Sequence, residues 1–291
     1  MGRSENVVSE PKERGYLGLN AKGFHRLVYW EWGEARQAPV LLCAHGLTRQ
    51  GRDFDALAAA LAPHYRIACP DIVGRGRSDW LVDKAGYGYP QYCADMAALI
   101  ARLGSETVDW LGTSMGGLIG MMLAAQPKSP IRRLVLNDIG PLVPKSGVER
   151  LAQYVGKDPR FPSLAAAIAY MREVAAPFGA LSEAEWRQLT VHGVREERDG
   201  SWRLAYDPAI AAPFQGEIKD VDLWGLWDRI RCPTLVLRGA ASDLLLPETA
   251  AEMQRRGPKA KLVEIPGCGH APALMAAEQI AIVREFLLDA K

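Results

Sequence analysis

The chain has 291 residues, of which 48% are hydrophobic and 24% are charged. This balance is typical of a globular protein with a sizeable core, and it excludes global disorder. Lysine and arginine total 35 against 34 aspartates and glutamates, so a net charge of +1 favours no anionic partner. We therefore expect no nucleic-acid partner.

The cysteines and the N-terminal residues indicate the cellular compartment in which the protein is expected. The five cysteines are widely spread and show no metal-ligand spacing. This pattern predicts neither a disulfide scaffold nor a metal site. The first residues carry charges throughout and lack the apolar stretch of a secretory signal. No later run approaches the ~20 apolar residues that cross a bilayer. These features predict a cytoplasmic protein without a membrane partner.

Strands and helices are predicted to alternate after a loose, polar leader over residues 1 to about 15. Apolar runs rich in β-formers indicate strands, and segments with helical spacing that stop at proline indicate helices. Alternation of this kind predicts a mostly parallel sheet with helices on both faces. The strands are predicted within 26–33, 40–46, 65–71, 106–114, 132–138, 232–243 and 260–265, and the helices within 54–63, 115–127 and 272–288.

One interval between predicted strands is too long for this alternation of strands and helices. About 95 residues separate the strand ending near Asp138 from the strand starting near Thr234, whereas a crossover needs only a dozen or so. The intervening sequence reads as three or four short helices, with Ser182 and Glu185 as a capping box. We predict a helical cap over residues 141–220, inserted into a core of residues 1–140 and 221–291.

The sharpest chemical signal is Gly112-Thr113-Ser114-Met115-Gly116, which lies between a predicted strand and an apolar helix. Glycines two residues before and after a serine permit the strained turn that lifts its hydroxyl above the sheet. Ser114 is therefore the candidate nucleophile.

A serine nucleophile needs a base, and the base needs an orienting acid. His270 lies in a glycine-punctuated loop after the last predicted strand, where a base could overhang the sheet edge. Asp243 and Asp138 both follow strand ends. We predict Asp243 as the acid, because it follows the cap and leaves the chain order Ser, Asp, His. Asp138 is the alternative, although Asp-Ile-Gly-Pro is also typical of a simple turn.

The negative charge of a tetrahedral intermediate needs backbone donors that already point at it. The amide of Met115 would begin the helix after the nucleophile, where the helix dipole favours an anion. The amide of Leu47 follows His45-Gly46 after a strand. We predict these two amides as the oxyanion hole, with His45 itself bonding loop carbonyls.

Together these segments resemble the α/β-hydrolase superfamily. The resemblance implies an eight-stranded, mostly parallel sheet and a triad of Ser114, Asp243 and His270, with no cofactor or metal. It implies only a structural role for the loop from Asp71 to Ser78. The matching pieces are His45-Gly46, Asp71-x-x-Gly74-x-Gly76-x-Ser78, Gly112-x-Ser114-x-Gly116-Gly117, Asp243 and Gly269-His270.

Ser114 stands where dehalogenases and epoxide hydrolases of this fold have an aspartate, so the resemblance favours acyl transfer. The leading hypothesis is a hydrolase of small to medium carboxylic esters or lactones that works through an acyl-enzyme. The alternative is a carbon-carbon bond hydrolase of ring-fission products, although Leu47-Thr48-Arg49-Gln50 differs from the glycine-rich loop common there. An acyltransferase and a non-catalytic receptor are further readings. The sequence predicts neither the substrate's identity nor the oligomeric state.

Overall fold

The computed structural model describes residues 10–34, 37–214 and 216–289. Up to residue 137 the elements are β1 (Lys12–Asn20), β2 (Gly23–Trp32), β3 (Val40–Ala44), α1 (Asp55–Leu61), β4 (Arg66–Asp71), α2 (Tyr89–Leu103), β5 (Val108–Thr113), α3 (Met115–Ala124) and β6 (Ile131–Asn137).

The segment from residue 139 to residue 233, here called the insert, leaves the main sheet after β6. It contains β7 (Leu142–Val143), α4 (Lys145–Ala152), β8 (Arg160–Phe161), α5 (Leu164–Val174), α6 (Glu183–Val191), β9 (Val194–Glu196), β10 (Trp202–Leu204), β11 (Val221–Asp222) and α7 (Trp224–Trp227). The chain then completes the sheet through β12 (Thr234–Gly239), α8 (Pro247–Met253), β13 (Lys261–Ile265) and α9 (Ala277–Leu288).

The main sheet has eight strands in the order β1-β2-β4-β3-β5-β6-β12-β13. The first two pairings in this order are antiparallel and the other five are parallel. This arrangement confirms the predicted fold class. From β3 the chain steps to β4 on one side and later to β5 on the other, so β3 and β5 flank the point where the strand order reverses. Ligands of open α/β sheets bind at such a point, beyond the carboxyl ends of the strands.

Helices cover both faces of this sheet, which explains the continuous apolar runs of its central strands. All five residues of β3 are buried. Leu42 packs in one cluster with Met96 of α2 and Ile119 of α3. Leu41, which points to the opposite face, packs in a second cluster with Leu57 of α1 and Val283 of α9.

Three elements of the core, β1, α2 and α8, are absent from the sequence-based prediction. β1 replaces the end of the predicted leader, because residues 12–15 pair antiparallel with β2; residues 1–9 of that leader lie outside the described residues. α2 has ordinary helix signals, with Pro90 in its first turn and a C-terminal Gly104 at φ 65°. These signals could have identified it.

In the insert, α5 and α6 lie where short helices were predicted, and the capping box of Ser182 and Glu185 at the start of α6 is confirmed. α4 lies mostly before the first predicted helix, which was expected over residues 151–159. It also has a three-stranded sheet, β8-β10-β9, and the pair β7-β11, which were not predicted. These strands have only two or three residues each, too few to show a period in the sequence.

The insert is attached to the core through backbone and side-chain contacts. The amide of Gly76 donates to the carbonyl of Ala205 at 2.7 Å, and the amide of Asp207 donates to the carbonyl of Gly74 at 2.8 Å. The hydroxyl of Tyr87 donates to the Asp207 carboxylate at 2.8 Å. No helix within the described ranges has the length and apolar character needed to span a membrane.

The loop after β3 is held by His45, which is buried. Its Nδ1 donates to the carbonyl of Gly46 at 2.7 Å, and its Nε2 accepts the amide of Ile72 at 3.0 Å. These bonds confirm the predicted structural role and require the neutral ring. Burial lowers the pKa of His45 from 6.5 to about 3, with smaller contributions from Arg75 and Arg49.

We therefore expect His45 to make the fold sensitive to acid. Between the unfolded pKa of 6.5 and the folded pKa of about 3, only the unfolded chain binds the proton, so stability is lost as the pH falls through this window. From about pH 6.5 to about pH 4.5, the wild type should lose about 2 kcal/mol more unfolding free energy than His45→Gln, which has no titrating ring. Urea unfolding at several pH values measures this, and parallel stability curves would contradict it.

Candidate active site

Ser114 lies in the turn between β5 and α3, with φ 51° and ψ −116°. A positive φ is uncommon for a residue with a side chain and is held here by close packing. A Cβ on Gly112 would lie 2.3 Å from the carbonyl carbon of Gly116, and one on Gly116 would lie 2.0 Å from the carbonyl oxygen of Ala44. Both positions therefore need glycine, as the motif indicates.

His270 follows β13 and contacts the serine directly. Its Nε2 lies 2.8 Å from the Ser114 Oγ. The loop between β13 and α9, here called the histidine loop, is also bonded to the insert, because the amide of Gly269 donates to the carbonyl of Pro177 at 2.7 Å. The structure thus brings together two side chains that are 156 residues apart in sequence.

The carboxylate beside His270 belongs to Asp138, whose Oδ2 lies 2.8 Å from Nδ1 of the ring. The predicted acid, Asp243, is not at this position, so the prediction that Asp243 orients His270 is wrong. Asp243 lies four residues beyond the end of β12, with its side chain 46% exposed and its carboxylate paired with the Arg150 guanidinium of α4. One of these bonds, from Arg150 Nη2 to Asp243 Oδ1, measures 2.9 Å.

Position explains why Asp138 and not Asp243 reaches the histidine. Asp138 directly follows β6, which lies between β5 and β12, and its amide donates to the carbonyl of Leu237 at 2.8 Å. Its φ of 55° lies in the left-handed region, which aspartate tolerates better than most residues. The end of β6 and the left-handed turn hold the Asp138 carboxylate at the edge of the sheet, next to the His270 imidazole.

Asp138 is fully buried, at 0% exposure, and a buried carboxylate is costly unless hydrogen-bond donors surround it. Three donors are present. The amide of Gly239 donates to Oδ1 at 2.7 Å. The hydroxyl of Ser242 and Nδ1 of His270 both approach Oδ2, at 2.6 and 2.8 Å.

The two residues whose amides are predicted to form an oxyanion hole line the same cavity as Ser114. This cavity, which Leu47, Met115 and Ser114 all line, has a volume of about 580 Å³. Met115 is the first residue of α3, where helix amides have no acceptor within the helix. The loop after β3 lies against Ser114, because a Cβ on Gly46 would be 3.7 Å from the Ser114 Cβ. Nε of the buried Arg75 donates to the Leu47 carbonyl at 2.9 Å and so holds the peptide that follows the Leu47 amide.

The loop from Asp71 to Ser78 contacts this region through Arg75, whose guanidinium reaches the Leu47 carbonyl and the Met115 sulfur. The Asp71 carboxylate accepts the amides of Gly51 and Arg77 at 2.8 and 2.9 Å. Its burial raises the pKa of Asp71 to about 6. These contacts fit the structural role that was expected for this loop.

The walls of the cavity come from α2 and the insert as well as from the strand-end loops. α2 contributes Tyr89 and Tyr92, which sequence reasoning missed together with the helix itself. The insert contributes apolar side chains that include Val148, Leu151, Ile210 and Phe214, and three charged residues, Glu217, Lys219 and Asp220. The result is a mostly apolar cavity with Ser114 in its wall, of a size typical for small-molecule sites.

Comparison with known proteins agrees with this geometry. A model of the alpha/beta hydrolase family matches residues 40–282. A 3-hydroxybutyrate-oligomer hydrolase from Cupriavidus necator is 48% identical over 281 residues, which cover 94% of this chain and 96% of that protein.

Solved structures show the same fold. An alpha/beta hydrolase from Novosphingobium aromaticivorans aligns with a TM-score of 0.86 and 37% identity, covering 96% of this chain and 98% of that one. A Rickettsia typhi structure aligns with a TM-score of 0.90 and 33% identity, covering 97% and 100% of the two chains. The chain is therefore a hydrolase that belongs to the alpha/beta hydrolase family.

Proposed function

We propose that the chain is a serine hydrolase of carboxylic esters, with Ser114 as nucleophile, His270 as base and Asp138 as orienting acid. One observation carries this proposal. The Ser114 Oγ, the His270 ring and the Asp138 carboxylate form a continuous row with both hydrogen bonds at 2.8 Å, and Ser114 lines a cavity at the carboxyl edge of the sheet. This is the arrangement that activates a serine hydroxyl.

The reaction has two halves. In the first, His270 Nε2 takes the proton of Ser114 as Oγ attacks the ester carbonyl, and the amides of Leu47 and Met115 stabilise the resulting oxyanion. His270 then gives the proton to the departing alcohol, which leaves an acyl-serine. In the second half, His270 removes a proton from water as the water oxygen attacks the acyl carbonyl. His270 then returns that proton to the departing Ser114 Oγ, the acid is released, and the free serine and neutral histidine are restored. Asp138 remains ionised throughout and stabilises the imidazolium.

The cavity supports an uncharged acyl group of small to medium size, because its walls are mostly apolar. The relative from Cupriavidus necator is named for hydrolysis of 3-hydroxybutyrate oligomers, so short oligomeric hydroxyalkanoate esters are the first substrates that we propose. We also propose that residues 141–220 act as a cap over the core, since side chains of the insert such as Leu151 and Phe214 line the cavity. A cytoplasmic location stays a prediction.

Replacing the nucleophile tests the proposal. Ser114→Ala should lower kcat on short nitrophenyl esters and on hydroxybutyrate oligomers by about 10⁶, because no other group replaces the hydroxyl. Labelling by a fluorophosphonate should disappear in the same variant. Ser105→Ala is the control, since the Ser105 hydroxyl bonds only the nearby Thr107 carbonyl.

Retention of esterase activity by Ser114→Ala would contradict the proposal. Rapid bleaching of a ring-fission dienoate by the wild type, with poor activity on every ester of a graded panel, would instead favour the carbon-carbon hydrolase alternative.

A second pair of variants distinguishes the two aspartates. Asp138→Asn should lower kcat by about 10³ to 10⁴, because an amide neither fixes the required tautomer nor stabilises the imidazolium. Asp243→Asn should lower kcat by less than about tenfold, because it only weakens the ion pair with Arg150 at a half-exposed site. Steady-state kinetics on one ester, with circular dichroism to verify folding, measures both. The reverse ranking would show that Asp138 is not the acid.

A further inference from the structure

The Oδ2 oxygen of Asp138 is shared by two donors. It lies 2.8 Å from Nδ1 of His270 and 2.6 Å from the hydroxyl of Ser242. The other oxygen, Oδ1, accepts the amide of Gly239 at 2.7 Å. Ser242 therefore contacts the same atom that orients the catalytic imidazole.

The direction of the Ser242 hydrogen bond follows from counting donors and acceptors. A hydroxyl has one proton to donate and two lone pairs that accept. The amides of Leu244 and Leu245 donate to the Ser242 Oγ at 3.3 and 3.1 Å, so they use its lone pairs. An ionised carboxylate can only accept. The hydroxyl proton therefore points at Asp138.

Ser242 is itself held in place. It is 6% exposed, and its amide donates to the carbonyl of Gly239 at 2.9 Å in the turn that follows β12. A hydroxyl fixed by its own backbone and by two further amides cannot swing away from the carboxylate. A hydrogen bond from a hydroxyl to an ionised oxygen is also among the stronger ones in proteins.

We propose that Ser242 is a positioning residue of the triad, whose hydroxyl locks Oδ2 of Asp138 and thereby fixes the His270 ring against Ser114. This inference rests on the proposed serine-hydrolase function. It concerns a residue that contacts neither the substrate nor the reacting atoms and that acts through the carboxylate.

The test compares Ser242→Ala with Ser242→Thr, which keeps the hydroxyl. Ser242→Ala should lower kcat by about 10- to 100-fold with KM changed less than about threefold. The acidic limb of its kcat/KM profile should move to higher pH. Without the hydroxyl, the negative charge is concentrated on the oxygen facing His270, and the protonated ring persists to higher pH. Ser242→Thr should restore most of the rate and the position of the limb.

Ser78→Ala is the matched control. Ser78 is 5% exposed, and its hydroxyl donates to the Asp71 carbonyl at 2.5 Å and accepts the Val28 amide at 2.9 Å. Its replacement also deletes a buried hydroxyl and an acceptor, so it should lower stability without moving the acidic limb.

A measurement independent of turnover is the proton NMR signal of the His270 Nδ1 hydrogen. This signal should shift in Ser242→Ala and keep its wild-type position in Ser78→Ala. If Ser242→Ala fails to fold, Ser242→Cys, which keeps the size of the side chain but donates weakly, should show a smaller change in the same direction.

An unchanged acidic limb and an unchanged Nδ1 proton signal in a folded Ser242→Ala or Ser242→Cys variant would overturn the inference. So would equal changes in Ser78→Ala. These outcomes are distinct from a failure of the proposed function, which would appear as an active Ser114→Ala enzyme.

Discussion

The buried carboxylate of Asp138 is the group on which the arrangement of the site depends. A carboxylate at 0% exposure is costly unless donors surround it, and the fold supplies three of them from β12, from the turn after it and from the histidine loop. These donors can form their hydrogen bonds together only while the Asp138 carboxylate keeps one orientation. The left-handed turn at Asp138 and the bond from Ser242 provide that orientation, and the ring of His270 follows from it.

A second constraint is the close approach of chain segments at the serine turn. Gly116 lies so near the Ala44 carbonyl that no side chain fits between them. The same packing brings the loop after β3, with Leu47, beside Ser114. Because β3 and β5 are neighbours in the parallel sheet, their carboxyl ends place Ser114 and the proposed oxyanion donors at one edge. Ser114 therefore lies at the reversal of strand order, where ligands of open α/β sheets bind.

The insert forms part of the cavity beside Ser114. Its apolar side chains complete the cavity, and its backbone pairs with the loop from Asp71 to Ser78. Asp243 also serves this attachment, since its carboxylate binds Arg150 of α4. Asp243, which was predicted to be catalytic from its place in the sequence, thus joins the core to the insert. An inserted segment needs such contacts to stay attached.

Sequence alone determined the local features of this protein. Glycine spacing around Ser114, apolar runs in β3 and β12 and the loop around His270 each reflect a constraint that acts within a few residues. The fold class and the residues now proposed as nucleophile and base could therefore be predicted. The proposed acid could not. Asp138 and Asp243 both follow strand ends, and the choice depends on which carboxylate is buried beside the imidazole and which one meets Arg150. Those contacts join residues more than 90 positions apart, and only the packed tertiary structure decides them. The same holds for the cavity walls and for Ser242, whose role comes from a neighbour 104 residues away.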